Sequence, residues 1–194
     1  MIHTYIPYSP KDNAYNLGWA YNNFMTLVPD DDWVLFLDHD ATFTTKYWYY
    51  QLNDIIQKHP NYGAFTCFTN RIGNSSCQKI KGIDTENHDI KYHRAIGKQL
   101  SENYYDEVIE YPSDVMLSGV IILLSKKTWE TIGGFAEGFE GVDNIFHKDC
   151  TSNNIPVGLM KGFYVYHWYR GNRDRDSTQH NTTRIFYYFI VVIF

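Results

Sequence analysis

Trp33-Val-Leu-Phe-Leu-Asp38-His39-Asp40-Ala-Thr42 is an apolar run that stops on two carboxylates. Val34 to Leu37 reads as a strand buried on both faces, because a short run of large apolar residues bounded by polar ones leaves no face for water. Two acids at its end do nothing for packing, since a buried carboxylate is costly unless paired or bound to a cation. In an open α/β sheet the C-terminal ends of the strands are where ligands bind. Alternation turns Asp38 and Asp40 to the same side of the chain, so both can face one hard divalent ion, Mg²⁺ or Mn²⁺, which would also hold a phosphate. The plainer use of such acids is a loop that caps the next helix.

The chain has 194 residues, net charge −5 and no long basic stripe, so it reads as one domain and not as a non-specific nucleic-acid binder. Aromatics make up 18% of it, and their flat faces suit sugars and nucleobases as well as cores. Cys67, Cys77 and Cys150 show no CxxC spacing and read as reduced thiols. Met1 runs into a strand-like segment without a signal-peptide pattern, so the expected location is cytoplasmic. A single domain is expected over 1–184. The apolar tail, 185–194, would span about 15 Å as a helix, half of a hydrocarbon core, so no transmembrane span is expected. A terminal strand, an interfacial segment and the cut edge of a longer chain remain open for it.

Working outward, Ile2–Pro7 reads as a first strand, and Tyr15–Leu27 carries apolar residues at helical spacing. Lys46–His59 reads as a second helix stopped before Pro60, and Tyr62–Cys67 as another strand. This β-α-β-α-β rhythm predicts an α/β fold with a mainly parallel sheet flanked by helices. Residues 69–111 lose periodicity and read as an irregular insertion, with one helix around Ile90–Leu100, that could form an acceptor region. Val115–Ser125 reads as a strand broken at Ser118-Gly119, where glycine suits a close approach of backbone to a ligand. Lys126–Thr131 and Asp143–Asn153 read as helices, and Gly162–His167 as a last short strand. His88, His93 and His147 read as surface residues.

Three motifs stand in order: Asp38-His39-Asp40, Gly133-Gly-Phe-Ala-Glu137-Gly-Phe-Glu140-Gly-Val-Asp143-Asn144, and Tyr164-Val-Tyr-His167-Trp-Tyr-Arg170. Together they resemble the GT-A glycosyltransferases, especially the inverting family 2 type. The resemblance implies a Rossmann-like GT-A fold and hexosyl transfer from a nucleotide-diphosphate sugar to an acceptor hydroxyl. It implies Mn²⁺ or Mg²⁺ held by Asp38, Asp40 and His167, with His39 beside the donor. Asp143 would take the place of the catalytic base. Asn144 stands where many relatives have a second acid, so Glu140 and Glu137 stay open as bases.

The N-terminal half is abbreviated, with one βα unit before the DxD strand where relatives have two. Nucleotide recognition would then fall to Pro7, Tyr8, Asn13 and Asn16, with Tyr8 stacking on the base. Ser118 and Gly119 would approach the sugar or acceptor, and Arg170, followed by Arg173 and Arg175, would reach phosphate. Two other readings compete. Val34–Thr42 also resembles the DxDxT strand of haloacid-dehalogenase-like phosphohydrolases, with Asp38 as nucleophile. A non-catalytic sugar-nucleotide or glycan-binding module would keep the fold without the base.

Overall fold

A computed structural model describes residues 1–9, 13, 15–73 and 77–169. The elements run β1 (Ile2–Tyr5), α1 (Leu17–Met25), β2 (Trp33–Leu37), β3 (Ala41–Phe43), α2 (Trp48–Lys58), β4 (Ala64–Thr69), α3 (Ile90–Tyr104), β5 (Val108–Glu110), β6 (Ile121–Ser125), α4 (Lys126–Thr131), α5 (Val142–Ser152) and β7 (Val157–His167). The strands form one seven-stranded sheet in the order β1-β2-β6-β4-β7-β3, with β5 also on β7.

β2 is buried on both faces, as its composition requires. Val34 and Phe36 face Tyr21 and Met25 of α1 and Phe146 of α5. Leu35 and Leu37 face Leu52 and Ile55 of α2 on the opposite side. Each such side chain contributes about 1.5–3 kcal/mol by leaving water. Helices therefore flank both faces, and the mixed α/β class holds.

The sheet is not mainly parallel. β1–β2 and β4–β7 run parallel, whereas β2–β6, β4–β6, β3–β7 and β5–β7 run antiparallel. Apolar periodicity tells which residues are buried but not which way a strand runs. β6 enters antiparallel between β2 and β4, and β3 turns back onto β7.

That last pairing bends the sheet. β2 and β3 are four strand spacings apart, about 19 Å on a flat sheet, yet the four-residue step from Leu37 to Ala41 reaches at most about 14 Å. The sheet must curl at this end, and the curl brings the end of β7 toward the end of β2.

Other expectations shift. The strand read over Val115–Ser125 is confined to Ile121–Ser125; Val115–Val120 is irregular because a side chain, Gln78, supplies the ladder bonds to Ser118. β7 begins at Val157 rather than Gly162, and the stretch 69–111 holds the fifteen-residue α3 and β5 as well as loops. α3 starts at an Asp89 cap, whose side chain accepts from the Lys91 amide at 2.9 Å. His93 and His147 are buried rather than superficial. His93 Nδ1 lies 2.7 Å from the Tyr164 hydroxyl and Nε2 2.7 Å from the Asn87 carbonyl, which satisfies both ring nitrogens inside the α3–β7 contact. β1 and α1 form the one βα unit ahead of β2 among the described residues. Among those residues no helix is long and apolar enough to cross a membrane. The tail, Arg170, Arg173 and Arg175 lie outside them.

Candidate functional site

The strand ends assemble the site. Asp38 follows β2 directly; its amide donates to the Val120 carbonyl at 3.0 Å, and its carbonyl accepts from Ala41 at 3.0 Å. This closes a turn over Asp38-His39-Asp40, after which Ala41 pairs with His167. Trp168 N then donates to the Asp40 carbonyl at 2.9 Å. Residues 127 positions apart are thereby joined: His167 Nε2 lies 3.0 Å from Asp40 Oδ1 and 3.8 Å from Asp38 Oδ2. One ligand atom from each of the three lies within 4.8 Å of the others.

The imidazole is oriented by its other nitrogen. His167 Nδ1 lies 2.7 Å from the Arg71 carbonyl, which can only accept, so Nδ1 carries the proton and Nε2 points at the carboxylates. A backbone acceptor behind a histidine is the usual support of a metal ligand. Two carboxylates and one imidazole, converging from a strand end and a turn, suit Mn²⁺ or Mg²⁺.

Charge at the site is unbalanced. Burial pushes the Asp38 carboxyl up to about 7, with the negative charges of Asp40 and Asp143 adding to the rise and His167 opposing it. Burial works against a charged His167, but the hydrogen bond to Asp40 and the charges of Asp40 and Asp38 outweigh it, so the imidazole is raised overall. Without a cation the cluster therefore retains protons near neutrality. Tyr21, buried beneath it, has its phenol raised first by burial and then by Asp38 and Asp143. Both carboxylates thus act on one buried group.

Asp143 enters from α5. Its Oδ2 accepts from Gly119 N at 2.8 Å and its Oδ1 from Asn144 N at 2.9 Å. Burial raises its carboxyl, and these backbone donors only partly offset it. Gly119 makes the approach close: a Cβ there would lie 3.2 Å from the Asp143 Cβ, tight enough that the carboxylate side chain would have to shift. The close approach at Ser118-Gly119 is thus made by Asp143 itself.

Other candidates are not among the three converging residues. Glu137 and Glu140 are exposed; Glu137 accepts from Asn16 Nδ2 at 3.3 Å. Asn16 is occupied as the α1 cap, its Oδ1 accepting from Trp19 N at 2.9 Å and Gly138 N at 2.8 Å. Tyr8 and His39 are exposed and Pro7 half-buried, while Asn13 Nδ2 is buried with no hydrogen-bond partner among the described residues. Arg170 lies outside the described residues.

Residues without a motif signal also matter here. Asn22, Asn70 and Gln78 each use a side-chain amide to grip both backbone groups of one residue. Asn22 holds Phe135 at 2.8 and 2.9 Å. Asn70 holds His167 at 2.8 and 3.1 Å. Gln78 holds Ser118 at 2.8 and 3.0 Å. Each gripped residue belongs to a segment that the sequence singled out, whereas nothing in the sequence sets the amides apart, Asn22 within the amphipathic α1 and Asn70 and Gln78 in a polar stretch. A surface cleft of about 470 Å³ lies at the other end of the sheet, lined by Trp33, Tyr62, Lys127 and Pro156 among others, and contains none of the cluster. Compared with known proteins, the chain matches no family model and no curated protein sequence.

Proposed function

We propose that this protein is a metal-dependent glycosyltransferase of the GT-A type, moving a sugar from a nucleotide-diphosphate donor to an acceptor hydroxyl with inversion. One observation carries the reading: Asp38, Asp40 and His167 converge within 4.8 Å, with Asp143 close enough to raise the Asp38 carboxyl. Asp38, Asp40 and His167 would hold Mn²⁺ or Mg²⁺. When bound, the cation offsets charge on the donor diphosphate and on the departing nucleotide diphosphate.

The chain's own groups do the rest. Asp143 is the base. Its raised carboxyl is a stronger proton acceptor than an exposed aspartate, and Gly119 and Asn144 fix its orientation. The acceptor hydroxyl proton passes to Asp143 as the oxygen bonds to the anomeric carbon. The bond from that carbon to the diphosphate breaks, and its electron pair leaves with the nucleotide.

Calorimetric titration of UDP, GDP and their sugar conjugates, first with Mn²⁺ and then with EDTA, tests the reading. Binding of one nucleotide only with Mn²⁺ is expected. Absence of binding to all of them would overturn the donor site, and a phosphoenzyme at Asp38 would replace it with phosphohydrolase chemistry.

A further inference from the structure

We infer that Asn70 is a positioning residue that sets the affinity and orientation of the metal-binding histidine, an inference that rests on the metal-site reading above. β4 ends at Thr69, after a register shift between Cys67 and Phe68 where it lies against β7. Its ladder to β7 stops at Thr69↔Val165, two residues short of His167. The last residue of β7 would then lack strand bonds on this side, at the place where its ring must be held most firmly.

Asn70 and Arg71 supply the missing bonds. Asn70, 2% exposed, accepts from His167 N at 2.8 Å and donates from Nδ2 to His167 O at 3.1 Å. Arg71, the next residue, accepts from His167 Nδ1 at 2.7 Å. One residue fixes the backbone of His167 and its neighbour fixes the ring. The far side is held by the pairing with Ala41, the residue after Asp40. His167 is thus registered against the Asp38–Asp40 turn from both edges. Loss of the Asn70 grip frees the end of β7, lengthens the Arg71 bond and lets Nε2 leave the carboxylates. Removing a partner that orients a metal ligand typically costs about 10- to 100-fold in metal affinity.

Gln51 provides the control. It is a buried amide on α2 that donates to two carbonyls, Tyr105 O at 2.7 Å and Gly162 O at 2.9 Å, away from the cluster. Its replacement perturbs the fold comparably without touching His167.

The experiment measures Mn²⁺ affinity by calorimetry and unfolding by thermal melts for wild type, Asn70→Ala and Gln51→Ala. Asn70→Ala is expected to weaken Mn²⁺ by about 10- to 100-fold while Gln51→Ala keeps the wild-type affinity. Equal affinities in all three proteins, or equal losses in the two variants, would overturn the inference. If Asn70→Ala does not melt cooperatively, Asn70→Ser takes its place, keeping one hydroxyl for one of the two His167 bonds, with a smaller loss expected. If the wild type itself does not bind Mn²⁺, the metal reading fails and the positioning role is judged without metal. Long-range ¹H–¹⁵N correlation, recorded at a pH where the ¹⁵N shifts themselves show the ring to be neutral, then reports the tautomer of His167. A defined Nδ1–H form in wild type and Gln51→Ala that becomes mixed in the Asn70 variant sustains the role. An unchanged tautomer removes it.

Discussion

Asp32 lies one residue before β2 and Asp38 one residue after it, so the two carboxylates bracket the same buried strand from opposite ends of the sheet. Asp32 has its charge met by the fold: the Met1 ammonium reaches Oδ1 at 2.5 Å and His3 reaches Oδ2 at 2.7 Å. The ammonium, then His3, hold its carboxyl below the usual range. Asp38 is more enclosed, faces the charges of Asp40 and Asp143, and is pushed up to about 7. Among the described residues the ionisable nitrogen paired with it is His167 Nε2, 3.8 Å away. One end of the strand is electrostatically complete and the other carries surplus negative charge, the imbalance expected where a cationic ligand belongs.

Removing ligands from the incomplete end has the largest expected effect. Asp40→Ala deletes a carboxylate and the acceptor 3.0 Å from His167 Nε2. Mn²⁺ affinity is expected to fall by at least about 100-fold in calorimetry, and metal-dependent donor binding with it. Asp143→Asn separates binding from chemistry. It should bind Mn²⁺ and donor as wild type does, and lose transfer by about 10²–10⁴-fold in a product assay. Transfer at the wild-type rate in that variant would remove Asp143 as the base.

The same imbalance gives a pH dependence. The folded pKa of Asp38, about 7, lies above an unfolded value near 4. Between these values the cation-free fold binds the extra proton, so this group's contribution to stability declines as pH rises through the window. His167, also raised, acts in the same sense: its contribution is full below about pH 6.5 and is lost as pH passes the folded value. A cation must displace these protons. The Mn²⁺-induced rise in melting temperature is therefore expected to grow from about pH 5 to about pH 8, measured against EDTA at each pH. A rise independent of pH would mean that Mn²⁺ binds elsewhere.

How much of this was legible in sequence follows from what is local. The buried strand, the two acids and His167 announce themselves through an apolar run, a spacing and a motif. β3 does not, because Ala41-Thr-Phe43 is too short to show alternation, yet its pairing with β7 joins the acids to His167. Val115–Leu117 looks like strand because it is apolar, but the amide of Gln78, 40 residues before Ser118, takes over the bonds there. Asn70 and Asn22 are equally silent, since a side chain that substitutes for a backbone ladder leaves no periodic trace. Antiparallel insertion of β6 escapes for a related reason: strand direction is decided by the connections, not by the strand.

Gly119→Ala tests how finely the incomplete end is fitted. Its Cβ would lie 3.2 Å from Asp143 Cβ and 3.3 Å from Oδ2, so the carboxylate must move by a few tenths of an ångström. A crowding cost of about 1 kcal/mol is expected in denaturant unfolding, together with a loss of roughly tenfold in transfer for a base displaced from its contact. Mn²⁺ affinity should stay unchanged, because Asp143 is not among the three converging residues. A loss of Mn²⁺ binding would place Asp143 in the coordination sphere.

The smallest effect is expected from Asp32→Asn, which removes the charge at the complete end while keeping the side chain's size. Asp32 has a lowered carboxyl, so it contributes stability that is present above the unfolded pKa near 4 and is lost as pH falls through the folded value. The variant should melt slightly below wild type at neutral pH and lose less stability on acidification, a difference that salt reduces because the pair lies near the surface. Melts from about pH 3 to about pH 7, at low and high salt, read this directly. Mn²⁺ affinity should not change, since β2 separates Asp32 from the cluster and its charge is already met by the Met1 ammonium, with His3 Nε2 against its other oxygen. A variant that bound Mn²⁺ differently would break the contrast, because the field of Asp32 would then extend along the strand and the surplus charge at Asp38 would belong to the whole sheet rather than to one end.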